Sequence, residues 1–246
     1  MYIKLILYLF FTSLLFADSL KVAVAANVRF AFNEIATTYE KKSNIKIIPI
    51  VSSSGKLTAQ IEHGAPFDMF LSANMKYPAY LYKKNLATTK PKVYAFGTLV
   101  LWSLNKNIDI DLKNLNDEKI KKIAISNPKN APYGVESLKV LEKLNIKKDI
   151  YSKIVFAESI SQTNQYIYSR SADIGITAKS VVLSPKMRTK GRWKEIDKND
   201  YSPIKQGIVI LKHGYKKNRK ISLDFYNFIF SKDGQKILKK YGYIIP

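Results

Sequence analysis

Apolar residues along the chain fall into two alternating patterns. Short unbroken runs, Leu20–Ala26, Ile45–Val51 and Phe67–Ala73, predict buried strands, with Pro49 in the second most easily placed near a strand end or sheet edge. Between them, Val28, Ala31, Phe32, Ile35 and Tyr39 recur at the spacing of one helical face. Leu57 and Ile61 mark a shorter helix, closed by Gly64 and Pro66. The alternation resumes downstream with strands at Lys121–Ser126, Lys153–Ala157 and Ala172–Thr177. A helix face begins at Leu138, Leu141 and Leu144, and a second helix opens within "ESISQTNQYIYS". Strands alternating with helices predict an α/β fold whose mainly parallel sheets carry crossover helices.

Two long β-rich runs, Val93–Leu104 and Ile204–Lys212, stand apart from this rhythm, and an amphipathic helix follows around Leu223–Leu238. The runs read as two strands crossing between two lobes. The first lobe takes residues 18–95 and 208–246, and the second takes 96–207. Ahead of both, Lys4 precedes an apolar run from Leu5 to Phe16, and Ala17 offers a cleavage position, so residues 1–17 read as a signal peptide. The run is short for a bilayer span, and no later stretch is long and apolar enough to be one. The expected location is the periplasm.

Composition narrows the chemistry. The 246 residues hold no cysteine, which excludes disulfides and thiolate metal sites, and only two histidines, His63 and His213. No metal held by cysteine or histidine and no cofactor is expected. The formal net charge of +22 raises the question of nucleic acid, but the lysines are scattered. The chain has no arginine-rich tail, zinc-finger spacing or RNA-binding aromatic motif, so nucleic acid is not an expected partner.

The strand-to-helix junctions are chemically uniform. They carry Ala25-Ala26-Asn27, Ser52-Ser53-Ser54-Gly55, Pro132-Tyr133-Gly134 and Glu158-Ser159-Ile160-Ser161, two junctions per lobe. Ligands of open α/β sheets bind beyond the carboxyl ends of strands. Helix starts there offer unpaired N–H groups and a partial positive charge. Four of them facing one cleft would make a donor-lined anion cage. Each junction taken singly reads more readily as a helix cap, and only the four together shift the balance. A cage made only of donors favours a fully ionised dianion.

These junctions, in this order, resemble the periplasmic molybdate-binding proteins of ABC importers, within the type II solute-binding fold. The resemblance is carried by "VAVAANVRFAFNEIA", "SSSGKLTAQIEHGAPFDMFLSAN", "NPKNAPYGVESLKVLEKL", "FAESISQTNQYI", "ADIGITAKS" and "SKDGQKILKKYGYIIP", covering nearly all of the chain after its leader. It implies a two-lobed, non-enzymatic protein that binds molybdate or tungstate, acts as a monomer and delivers the anion to a membrane permease. Carried over by position, it implies Ser54 as a hydroxyl ligand, Asn27, which can still donate through its amide, where the family usually has serine, and backbone N–H donors at Tyr133 and Ile160. Ser53 is an additional candidate. Ala178 falls where many members place a tyrosine, so either one hydrogen bond is missing or Tyr133, Thr177 or Lys179 compensates.

Two other readings are open. Sulfate, thiosulfate or phosphate could fill the same kind of cage. Ser53 and Lys56 form S-x-x-K, as in secreted serine enzymes, but Thr189–Gly191 reads T-K-G rather than K-T-G and no S-D-N follows. Asp68 and Glu158 read as structural hydrogen-bonding groups.

Overall fold

The computed structural model describes residues 19–246. The signal peptide expected over residues 1–17 lies outside them. The chain forms two five-stranded sheets, each covered by helices.

The first sheet is built from β1 (Ser19–Ala25), β2 (Lys46–Ser52), β3 (Met69–Leu71), β4 (Lys92–Gly97) and, from the far end of the chain, β10 (Ile204–Ile210). The second holds β5 (Leu99–Ser103), β6 (Ile123–Ser126), β7 (Ile154–Ala157), β8 (Ile174–Ala178) and β9 (Arg192–Glu195). Their orders are β2-β1-β3-β10-β4 and β7-β6-β8-β5-β9. Each sheet therefore has three parallel strands, with β1 or β6 at the centre of the trio. A long strand then runs antiparallel to the trio, β10 in one sheet and β5 in the other, and ends against a further antiparallel strand. The parallel strands read as continuous apolar runs because both of their faces are covered.

Helices α1 (Arg29–Ser43), α2 (Ser54–Glu62) and α3 (Lys76–Lys83) belong to the first lobe. The second lobe carries α4 (Pro132–Lys143), α5 (Lys147–Ile150), α6 (Ile160–Tyr168) and α7 (Lys179–Val182). The chain returns to the first through α8 (Lys212–Lys217), α9 (Arg219–Phe230) and α10 (Lys232–Lys240). The predicted face of α1 is buried at Ala31, Phe32, Ile35 and Tyr39, and Phe225 of α9 packs edge-on against Phe32 and Tyr39. That contact joins the carboxyl-terminal third of the chain to its first helix. Asn44 ends α1 in the left-handed conformation, a position that suits asparagine.

The crossings differ from expectation in detail. Val93–Leu104 is two strands in two sheets, separated at Thr98. Ile204–Ile210 lies wholly in the first sheet, so the return passes through the irregular segment before Ile204, which holds a 3-10 turn at Lys198–Asp200. Residues 96–97 and 204–207, assigned by pattern to the second lobe, all lie in the pairing of β4 with β10 in the first sheet. Apolar sequence on both sides of Thr98 hides the first change of sheet.

Candidate functional site

All four junctions singled out in the sequence meet between the lobes. The first lobe contributes Ala25, Ala26, Asn27, Ser53, Ser54 and Ala73 to one small hollow, and the second contributes Ala131, Pro132, Tyr133 and Ile160. The centre of a water-sized sphere has about 10 Å3 to move in there. None of these lining residues carries a charge. Whatever the hollow favours, it favours through dipoles and hydrogen bonds.

Three α-helices begin at its wall. Ser54 and Ile160 are the first residues of α2 and α6, and Tyr133 is the second of α4, behind Pro132. N–H groups in a first turn have no acceptor within their own helix and sit at the positive end of its dipole. Proline suits the first position of α4 because its missing N–H would have been unpaired anyway. A 3-10 turn, Ala26–Val28, supplies the fourth start.

The serine block divides its labour. Ser53 is the cap of α2, its hydroxyl accepting from the Lys56 N–H at 3.4 Å. Ser54 lies one residue further on and is 1% exposed. Its Oγ accepts the main-chain N–H of Ala73 at 3.0 Å, an arrangement that leaves the hydroxyl hydrogen available to donate. Gly55 follows, and its N–H donates across the cleft to the Asn130 carbonyl at 2.9 Å. A Cβ on Gly55 would stand 3.1 Å from the Asn130 main chain, so glycine lets the two lobes approach.

Asn27 behaves differently from the expectation that its side-chain amide substitutes for a serine hydroxyl. Its Nδ2 donates to Gln206 Oε1 at 2.8 Å and to the Tyr243 hydroxyl at 3.1 Å, which accounts for both amide hydrogens. Its carbonyl accepts from Ser180 Oγ at 2.7 Å and from the Tyr243 hydroxyl at 3.0 Å. The main-chain N–H is the donor that remains. Tyr133 lines the hollow while its hydroxyl accepts from Gln206 Nε2 at 3.2 Å. Burial pushes the phenols of Tyr94 and Tyr133 well above the usual tyrosine range and that of Tyr243 to about 12, so all three are neutral at physiological pH.

The residues considered as substitutes for a family tyrosine at Ala178 lie elsewhere, except Tyr133. Ala178 is fully buried at the end of β8, paired with Leu99. Thr177 donates to Asn164 Oδ1 at 2.5 Å, and Lys179 is ion-paired with Glu195. Neither Thr177, Ala178 nor Lys179 lines the hollow. Sequence reasoning missed Ala73 and Ala131, whose side chains carry no chemical signal, and the buried Gln206, Tyr243 and Ser180 behind Asn27.

The remaining candidates have structural partners. Asp68 is 1% exposed and accepts from the Lys21 N–H at 2.7 Å and the Asn218 amide at 3.3 Å, with His213 Nδ1 at 3.0 Å. His63 Nδ1 lies 2.7 Å from the Ala59 carbonyl at the end of α2. Lys56, the second residue of the S-x-x-K match, pairs with Glu158 of the other lobe at 2.6 Å.

The profile of the bacterial extracellular solute-binding proteins matches residues 20–244 of this chain. The sequence is 33% identical over 229 residues to the molybdate-binding protein of Azotobacter vinelandii, covering 92% of this chain and 90% of that one. It is 31% identical over 229 residues to the molybdate-binding protein of Rhodobacter capsulatus, covering 93% and 89%. Among solved structures, the periplasmic molybdate-binding protein of A. vinelandii is similar throughout, with a TM-score of 0.87 and coverage of 92% and 99%.

Proposed function

Because the chain belongs to the bacterial extracellular solute-binding proteins, we propose that it captures molybdate between its lobes, accepts tungstate in the same way, and presents the anion to the permease of an ABC transporter. It is a binding protein and not an enzyme, as its relatives are. The observation that carries the ligand reading is the convergence of three α-helix starts and the Ser54 hydroxyl on one uncharged, nearly closed hollow. A dianion there meets donors from both lobes and needs no counter-charge from a side chain.

Each lobe supplies only part of the wall, so the bound anion stabilises the closed arrangement over an open one. One chain supplies the whole hollow, and the working unit is a monomer. The leader-like residues 1–17 direct the protein to the periplasm, and no helix among the described residues is long and apolar enough to cross a membrane. The scattered lysines give a general positive field that raises the capture rate of anions at low salt. The resident ligand is the transported anion.

Competitive calorimetric titration with molybdate, tungstate, sulfate and phosphate tests the assignment. Molybdate and tungstate are expected to bind at least about a hundredfold more tightly than the other two, a difference of roughly 2.7 kcal/mol. Tighter binding of sulfate or phosphate would reassign the ligand within the same fold. Binding of none of the four would remove the oxyanion reading.

A further inference from the structure

We infer that Gln206 and Tyr243 are positioning residues of the anion site, which fix Asn27 so that its main-chain N–H serves the hollow and tie it to the opposite lobe. The inference rests on the oxyanion reading above. It starts from a buried polar network in which each member has an assigned partner. Gln206 is fully buried on β10, its Oε1 accepting from Asn27 Nδ2 and from the Tyr94 hydroxyl, both at 2.8 Å. Its Nε2 donates to the Tyr133 hydroxyl at 3.2 Å. One side chain therefore joins the 3-10 turn of the first lobe to helix α4 of the second.

Tyr243, three residues from the carboxyl end of the sequence, completes the clamp. Its hydroxyl donates to the Asn27 carbonyl and accepts from the Asn27 amide. Ser180 of the second lobe donates to the same carbonyl. With the amide and carbonyl of Asn27 both engaged, the residue has no freedom to turn its side chain into the hollow. Two hydrogen bonds, from Gln206 to Tyr133 and from Ser180 to Asn27, cross between the lobes within this network.

Backbone features serve the same end. The pairing of β4 with β10 shifts register at Gln206/Gly207, where Gln206 faces Ala95 and Gly207 faces Val93. The extra residue is Tyr94, and such a bulge re-aims side chains, here setting the Tyr94 hydroxyl on Gln206. Gly97 ends β4 where a Cβ would lie 2.0 Å from the Tyr133 hydroxyl oxygen and 2.6 Å from Gln206 Nε2. Only glycine leaves room for those two groups to meet.

The test compares the full chain with its Tyr243→Phe and Gln206→Met variants, using molybdate as the probe. Three quantities are read: affinity by calorimetry, melting temperature of the anion-free protein, and radius of gyration with and without molybdate. Each variant is expected to bind about tenfold more weakly, the loss of roughly one hydrogen bond of coupling. The anion-free melting temperature should move by only a few degrees, and the contraction on binding should need correspondingly more molybdate. Wild-type affinity in both variants would overturn the inference. So would a large fall in melting temperature with affinity intact, since that marks the network as structural only. A wild-type chain that binds no oxyanion overturns the functional reading itself, and because the variants are measured against wild type the two failures are distinct.

Discussion

The two walls of the hollow solve the same problem with different materials. The first lobe adds a side chain to its main-chain donors, with the Ser54 hydroxyl free to donate beside the Asn27 N–H and Ser53 capping the helix behind it. The second offers main chain: Ala131, Pro132, Tyr133 and Ile160 present the starts of α4 and α6 with no side-chain cap at Ala131. A side-chain donor can be read and mutated residue by residue. A backbone donor is set by where a helix begins, and tolerates any side chain that packs. One part of such a cage is therefore written in residue identity and the rest in element boundaries.

Four substitutions at three positions can break or sharpen that contrast. Ser54→Ala should have the largest effect, weakening molybdate binding by one to two orders of magnitude, because a hydrogen bond to a charged group contributes roughly 1.5–3 kcal/mol. Calorimetry checks this, and binding at wild-type strength would deny the first wall its side-chain character. On the second wall, Ile160→Pro deletes the N–H at a position where α6 tolerates proline, after a Ser159 already extended at φ −157° and ψ 168°. It should cost about tenfold in affinity, whereas Ile160→Val should bind within about threefold of wild type. Equal losses in both variants would show that the isoleucine side chain matters and the N–H does not. The smallest effect on affinity is expected for Ser53→Ala. It removes a helix cap worth about 1 kcal/mol, so thermal unfolding of the anion-free protein should shift while affinity stays within about threefold.

Much of this was legible in the sequence for physical reasons. Buried parallel strands are continuous apolar runs, and helix starts next to them are marked by small and hydroxyl residues. The four junctions could therefore be placed from "VAA", "SSSG", "PYG" and "ESIS". Strand β9 was not foreseen, because Arg192–Glu195 alternates exposed and half-buried positions and has almost no apolar residues. Gln206 is one position of the Ile204–Lys212 run and Tyr243 one of the segment "SKDGQKILKKYGYIIP", and neither is marked there as a site residue. Their burial depends on partners 179 and 216 positions away along the chain, which no local pattern encodes. The amide of Asn27 is a case of the same kind: its type says that it can donate, and only the fold says to what.

The order in which the sheets draw on the chain has a consequence for how the protein is assembled. The second sheet takes β5 to β9 from one uninterrupted stretch, while the first needs β10 and its pairing of Ile208 with Leu71. A chain emerging amino end first therefore has every strand of the later sheet before the earlier one is complete. Closing the earlier sheet also closes the longest loop between paired strands, the kind of contact that slows folding. The isolated bridge between Phe96 and Ile244 comes last of all. The first wall of the hollow is thus completed only after every strand of the second sheet exists, and Tyr243, which holds Asn27 in place, follows all strands of both sheets along the chain.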